Sequence, residues 1–303
     1  MRLAFAGSPA AALPALRALA DVHDVAVVVT QPDRPRGRSR QPAPTPVADA
    51  AAALGLPVVT PVNVSAPDEV ERLAASGAQA LCVVAYGQIL RPAVLDLFPC
   101  LNVHFSLLPA YRGAAPVERA IMDGRNETGV TIMRMDPGMD TGPIISTRRV
   151  AITPDEDTGG LTARMAQIGA PMLLAALAEL EAGRMVEVSQ PEHGASIAPR
   201  ITGADRPLDP ARPAARLADH VRALSPHVGA TLELADVGPL IVWVARAVDE
   251  RPAEPIGGSA GRLLLATPDG ALDLVDVQPA GKGRMTGADF LRGRRGVIAL
   301  ARG

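Results

Sequence analysis

At 303 residues the chain is longer than a typical single domain, so two domains are expected. Its 48% hydrophobic and 20% charged residues fit a globular protein with a sizeable core; with four Phe, two Tyr and one Trp, that core must be built from Ala, Val, Leu and Ile. A net charge of −2 argues against a protein that coats nucleic acid nonspecifically, while leaving room for a local basic patch.

Along the first half, helical and extended patterns alternate. Leu3 to Ala6 is a short apolar strand, followed by a helical stretch from Ala10 to Leu19. Val25 to Val29 is a β-branched run suited to a strand buried on both faces. Thr45 caps a helix that Pro46 opens at its first position. Ala80 to Ala85 and Cys100 to Val103 are further strands, with helical segments between. This βαβ series predicts an α/β fold with a doubly wound, mostly parallel, Rossmann-like sheet and right-handed crossovers. Gly7-Ser8-Pro9-Ala10-Ala11-Ala12 sits where a dinucleotide fingerprint would, but lacks its second and third glycines, which disfavours a nicotinamide dehydrogenase.

A helical segment runs from Asp157 to Ala182, and residues 189–213 are rich in Pro, Gly and Ser. Next come a short helix over Ala214–Leu224 and strand-like runs at Ala230–Leu234, Leu240–Ala247, Arg262–Ala266 and Leu272–Val277, which suggest a small OB-like β-barrel. Thr286 with Asp289 resembles a capping box opening a last helix. The expected division is 1–188 for the α/β domain, 189–206 for a linker and 207–303 for the barrel. Cys82 and Cys100 lack metal-ligand spacing and read as reduced core thiols, so no metal is expected. No apolar run reaches membrane-spanning length and the first strand is too short for a leader, so a cytoplasmic protein without membrane contact is expected.

The chemistry gathers around Asn102-Val103-His104. On a strand Asn102 and His104 point the same way, and in open parallel sheets ligands bind beyond the carboxyl ends of the strands. Alone, such a His reads as a satisfied structural imidazole. It is followed, however, by Ser106-Leu107-Leu108-Pro109-Ala110-Tyr111-Arg112-Gly113, then Thr128-Gly129-Val130-Thr131, then Met139-Asp140-Thr141-Gly142. Asp140-Thr141-Gly142, echoed by Asp157-Thr158-Gly159, could be an aspartic protease signature. Those enzymes draw their two carboxylates from separate β lobes, so Asp157 is better explained as a helix-start residue.

The combination resembles the folate-dependent formyltransferase family, whose pattern is Asn-x-His-x-Ser-Leu-Leu-Pro, then Arg-Gly, then an Asp-x-Gly loop. The likeness runs from end to end. It includes Gln31-Pro32-Asp33-Arg34-Pro35, Val84-Ala85-Tyr86-Gly87 and Gln278-Pro279-Ala280-Gly281-Lys282, the first of these typical of the branch that acts on tRNA. The family usually has Arg where Ala110 stands, and Ser225 to Gly229 replace a Pro-Trp-Pro-Gly motif.

The resemblance implies transfer of a formyl group from 10-formyltetrahydrofolate to the α-amino group of a charged initiator tRNA. It implies Asn102, His104 and Asp140 as the catalytic trio. Those residue types fit: an amide and an imidazole can hydrogen-bond a tetrahedral oxyanion, and a carboxylate can orient the ring or relay a proton. The resemblance further implies folate contacts from Val84, Ala85, Tyr86, Gly87, Ser106, Leu107, Leu108, Pro109, Asp136 and Gly138. For tRNA it implies Arg34, Arg36, Arg38 and Arg40, aimed at the acceptor stem, with Lys282 and Arg284 in the barrel. A monomer is expected. Within the family, a nucleotide-sugar amine formyltransferase and a formyl-folate hydrolase are the alternatives, and the arginine-rich loop favours tRNA. From another class, an inert RNA-binding module is disfavoured by the retained trio.

Overall fold

The structure, a computed structural model, describes residues 1–36, 41–293 and 298–301. In chain order the first elements are β1 (Arg2–Gly7), α1 (Leu13–Val22), β2 (Asp24–Val29), β3 (Arg34–Arg36), β4 (Gln41–Ala43), α2 (Pro46–Ala53), β5 (Val58–Val59), α3 (Pro67–Ala75), β6 (Ala80–Val84), α4 (Pro92–Leu95) and β7 (Cys100–His104). Next are α5 (Pro116–Met122), β8 (Glu127–Arg134), β9 (Ile144–Ala151), α6 (Thr158–Glu181), α7 (Ala214–Leu224) and β10 (Ala230–Leu234). Last come β11 (Gly238–Val248), β12 (Ile256–Ser259), β13 (Arg262–Thr267), β14 (Gly270–Pro279), β15 (Met285–Thr286) and α8 (Gly287–Arg292).

Seven strands form one sheet in the order β5-β2-β1-β6-β7-β8-β9. The first five are parallel, as the βαβ pattern predicts, while β8 and β9 add antiparallel. β1, β6 and β7 are buried along nearly their whole length, which explains their continuous apolar runs. Thr45 caps α2 as expected, its hydroxyl accepting from Ala48 N at 3.0 Å. The segment after β2, read as a loop, contains the β3–β4 hairpin.

Contrary to expectation, one stretch does reach membrane-spanning length: α6, 24 residues long, is apolar enough by composition. Its Leu161, Met165, Leu173 and Leu177 are fully buried, and a Cβ on Gly169 would meet Val103 at 2.6 Å. That is the signature of a helix pressed against the strand carrying the site, and its hydrophobicity serves the core. Cys82 and Cys100 are free and buried, and burial pushes the Cys100 thiol up to about 12, which leaves it inert.

The chain divides into two compact units that interleave in sequence. The first comprises Met1–Pro116, Glu127–Ala151 and Thr162–Pro199; the second takes Val117–Asn126, Ile152–Leu161 and Arg200–Gly303. The boundary falls after Pro199, so residues 189–199 of the expected linker run with the α/β unit. The second unit is an antiparallel sheet in the order β10-β11-β14-β13-β12, with β15 paired to β14. Its core includes Leu217 and Val221 of α7, Leu263, Leu265, Leu272 and Leu274 of the sheet, and Phe290 of α8. Thr286 caps α8, accepting from Asp289 N at 3.1 Å.

Candidate active site

The site grows from the carboxyl end of β7. Asn102 lies opposite Val83 and Met133 in the flanking strands, and His104 lies opposite Thr131. Asn102 is 9% exposed, and its side-chain amide makes no hydrogen bond to a described residue, which leaves its donors free for a ligand. His104 is 5% exposed, with Nε2 2.9 Å from the Tyr111 carbonyl oxygen. A carbonyl can only accept, so Nε2 must carry a proton, and Nδ1 is the nitrogen left for chemistry. Nδ1 faces Asp140 Oδ2 at 3.6 Å, beyond hydrogen-bond length. That same oxygen accepts from Gly113 N at 2.8 Å. The structure thus brings Asn102, His104 and Asp140 together at one strand end.

The loops that converge here are strained. Among the described residues, the non-glycine residues with positive φ are Ala85 (48°), Tyr111 (60°), Asp140 (51°) and Ala260 (47°). Ala85 and Tyr111 lie in the loops after β6 and β7, and Asp140 belongs to the trio itself; each such conformation costs about 1–3 kcal/mol that the surrounding structure has to offset. The 136–142 loop is held at its start by Asp136, whose Oδ1 accepts from Gly138 N at 3.1 Å and Thr141 Oγ1 at 2.8 Å. It passes so close to β8 that a Cβ on Gly142 would sit 1.9 Å from Arg134 O. At its end the Gln190 amide donates to Asp140 O at 2.7 Å and Gly142 O at 2.8 Å.

Gln88, Ile89, Leu90, Met133, Met135 and residues 136–140 line a cleft of about 140 Å³. Asp136 and Gly138, two of the sequence-predicted folate residues, stand in that lining. Val84, Ala85, Tyr86 and Gly87 immediately precede it, with Ala85 and Gly87 (φ 86°) both in the left-handed region. The Tyr86 side chain turns into the core with Val64, Leu73 and Val94, and burial raises its pKa. Its backbone oxygen accepts from Ser8 Oγ and Gln31 Nε2. Ser106, Leu107, Leu108 and Pro109 are not in the cleft lining. They fold into a turn: Ser106 Oγ donates to Ala110 O at 2.6 Å, and Thr131 Oγ1 donates to Ser106 O at 2.7 Å.

Of the expected tRNA residues, Arg34 is exposed and donates to Gln31 Oε1 at 3.1 Å. Arg38 and Arg40 lie outside the described residues, as does the Arg36 side chain. Lys282 is exposed. Arg284 is already engaged, stacked 3.8 Å from the Trp243 ring centroid and donating to Pro226 O at 3.3 Å. Among the described residues no group of three or more His, Cys, Asp or Glu could hold a metal ion. Asp157 does start a helix: its Oδ1 accepts from Gly160 N at 2.8 Å.

Sequence reading did not single out Gln190 or Ser196. Both lie in the Pro-, Gly- and Ser-rich stretch, where nothing local distinguishes a tied-down strap from a free linker.

Residues 1–177 match the formyl transferase family and residues 200–295 match the formyl transferase C-terminal domain. The chain is 46% identical over 305 residues to a methionyl-tRNA formyltransferase of Methylobacterium sp. (strain 4-46), covering 97% of each chain. It is 46% identical to that of Halorhodospira halophila, covering 97% of this chain and 96% of the relative. Among solved structures, methionyl-tRNA formyltransferase from Clostridium thermocellum superposes with a TM-score of 0.59 at 15% identity, over 92% of this chain and 98% of that one. The N-formyltransferase from Helicobacter canadensis gives 0.67 at 16% identity, over 91% and 98%, and at that identity the likeness concerns the fold alone. With both family regions present and nearly half of its residues shared with such relatives from end to end, the chain belongs to the methionyl-tRNA formyltransferase family.

Proposed function

We propose that this chain transfers the formyl group of 10-formyltetrahydrofolate to the α-amino group of methionyl initiator tRNA, using Asn102, His104 and Asp140. The observation that carries the residue assignment is their convergence: a buried amide without a hydrogen-bond partner among the described residues, an imidazole whose Nε2 is bound to a carbonyl, and a carboxylate facing its Nδ1. In the reaction the amine nitrogen bonds to the formyl carbon, the bond from that carbon to N10 breaks, and one proton passes from the amine to N10. Asn102 donates to the oxyanion as the tetrahedral centre forms. His104 Nδ1 takes the proton from the amine and returns it to the leaving nitrogen, with Asp140 balancing the imidazolium in between.

The 84–87 turn and the cleft lined by Asp136 and Gly138 receive the folate, largely through backbone groups. Arg34, Arg36, Arg38 and Arg40 contact the acceptor stem, where planar guanidinium groups suit phosphates and base edges. The 207–303 region, with Lys282 and Arg284, positions the tRNA rather than taking part in chemistry. The protein acts as a monomer in the cytoplasm.

One assay tests the substrate assignment. Formyl-folate is supplied with charged initiator tRNA, uncharged tRNA, or a nucleotide-sugar amine, and formyl-amino acid, formyl-sugar and released formate are measured. The expected product is formylmethionyl-tRNA alone. A formyl-sugar would overturn the tRNA assignment, and formate from every mixture would identify a hydrolase.

A further inference from the structure

Asp140 must keep one carboxylate oxygen within reach of both Gly113 N and His104 Nδ1 while its own backbone sits at φ 51°. Such a conformation persists only where neighbours over-determine it. The neighbour that does so is Gln190. Its Nε2 spends both hydrogens on loop carbonyls, those of Asp140 and Gly142. Its Oε1 accepts twice from Arg112, from Nε at 3.0 Å and from a terminal guanidinium nitrogen at 2.7 Å. The amide has one workable orientation, because turning it over would set its oxygen against two carbonyls and its NH2 against a guanidinium.

Arg112 is itself fixed by the same strap, its N donating to Ser196 O at 2.8 Å and its O accepting from Ala198 N at 2.7 Å. On either side of it, Tyr111 supplies the carbonyl that accepts from His104 Nε2, and Gly113 supplies the N–H that holds Asp140. Tyr111 N in turn donates to Ser196 Oγ at 2.9 Å. His104, Tyr111, Arg112, Gln190 and Asp140 therefore form a closed ring of contacts.

We propose that Gln190 is a positioning residue, which sets Asp140 against His104 by tying the 136–142 loop to Arg112. This rests on the assignment of Asn102, His104 and Asp140 made above. Glutamine is suited to the task because it offers two donors and an acceptor without charge. Glu would satisfy Arg112 and repel both loop carbonyls, and Leu would fill the space and hold neither.

The test is a double-mutant cycle on the full chain, with Gln190→Leu, Gln190→Glu and His104→Ala assayed singly and Gln190→Leu combined with His104→Ala. Misplacement of a reacting group by about 1 Å costs up to about 100-fold, so both Gln190 variants should lose about 10- to 100-fold in kcat, with KM for formyl-folate little changed. In the His104→Ala background Gln190→Leu should cost nothing further, because its effect passes through the pair. An unchanged kcat in both folded Gln190 variants would overturn the proposal, and so would a fully additive loss in the double variant. A His104→Ala enzyme that works normally would instead overturn the catalytic assignment. If Gln190→Leu fails to fold, kcat of Gln190→Glu, which keeps the Arg112 contact, decides the question in the same way.

Discussion

In the α/β unit, Asp140 is held by hydrogen bonds from Gly113 and Gln190 around a backbone that bends the unfavourable way. In the antiparallel unit, Leu263, Leu265, Leu272 and Leu274 are fully buried on regular strands and need no polar support. The first arrangement depends on direction, since a hydrogen bond weakens steeply when its angle fails. The second depends on volume, since apolar packing is nearly indifferent to direction but not to missing atoms. Damage in the first region should therefore appear as lost turnover in a folded protein, and damage in the second as lost stability.

The largest effect expected is on the volume side. Leu272→Ala removes a fully buried side chain from the second core and should lower stability by about 2–5 kcal/mol. Chemical denaturation checks it, with kcat per folded molecule little changed. A loss of turnover without loss of stability would break the comparison. On the directional side, Asn102→Ala should lower kcat by about 10²–10³, about 2.7–4 kcal/mol, through the lost oxyanion donor, and His104→Ala by about 10²–10⁴ through the lost proton transfer, both with the unfolding midpoint near that of the parent. Near-normal turnover in both folded variants would remove the catalytic assignment.

The contrast also explains what could be read before the structure. Val25–Val29 and Cys100–His104 declare themselves as buried strands because volume is written into consecutive side chains. Ala214–Leu224 and the strands around Leu240 and Leu272 are legible for the same reason. β9 and the β3–β4 hairpin carry exposed polar or Pro-containing sequences and give no such signal. Asn102, His104 and Asp140 stand out through motif likeness, and their chemistry is plausible from residue type. Gln190 is illegible. Its importance lies in which atoms it meets 78 residues away in sequence, and no local pattern encodes that.

A third region combines both modes and should show the smallest effect. Within the second unit Arg119 donates to Asp205 Oδ1 at 2.6 Å, while Thr202 donates to Oδ2 from its N at 2.8 Å and its hydroxyl at 2.9 Å. The Arg119 hydrogen bond, outweighing burial, holds the Asp205 carboxyl down at about 2. His220 Nε2 donates to the Asp205 carbonyl at 2.6 Å, and burial pushes that imidazole below its ordinary range. Both groups take up protons later in the folded than in the unfolded chain, so both make stability fall as the medium acidifies. The loss from His220 begins as pH drops through about 6.5, and that from Asp205 spans about pH 4 to 2. The Arg119–Asp205 pair is partly solvated, so its share should be about 1 kcal/mol or less. Asp205→Asn keeps the shape and removes the titration. Its stability should follow the parent's slope between pH 7 and 5 and flatten relative to the parent below pH 4. Denaturation midpoints across that range decide it, and parallel curves down to pH 2 would show that Asp205 holds the unit by shape alone.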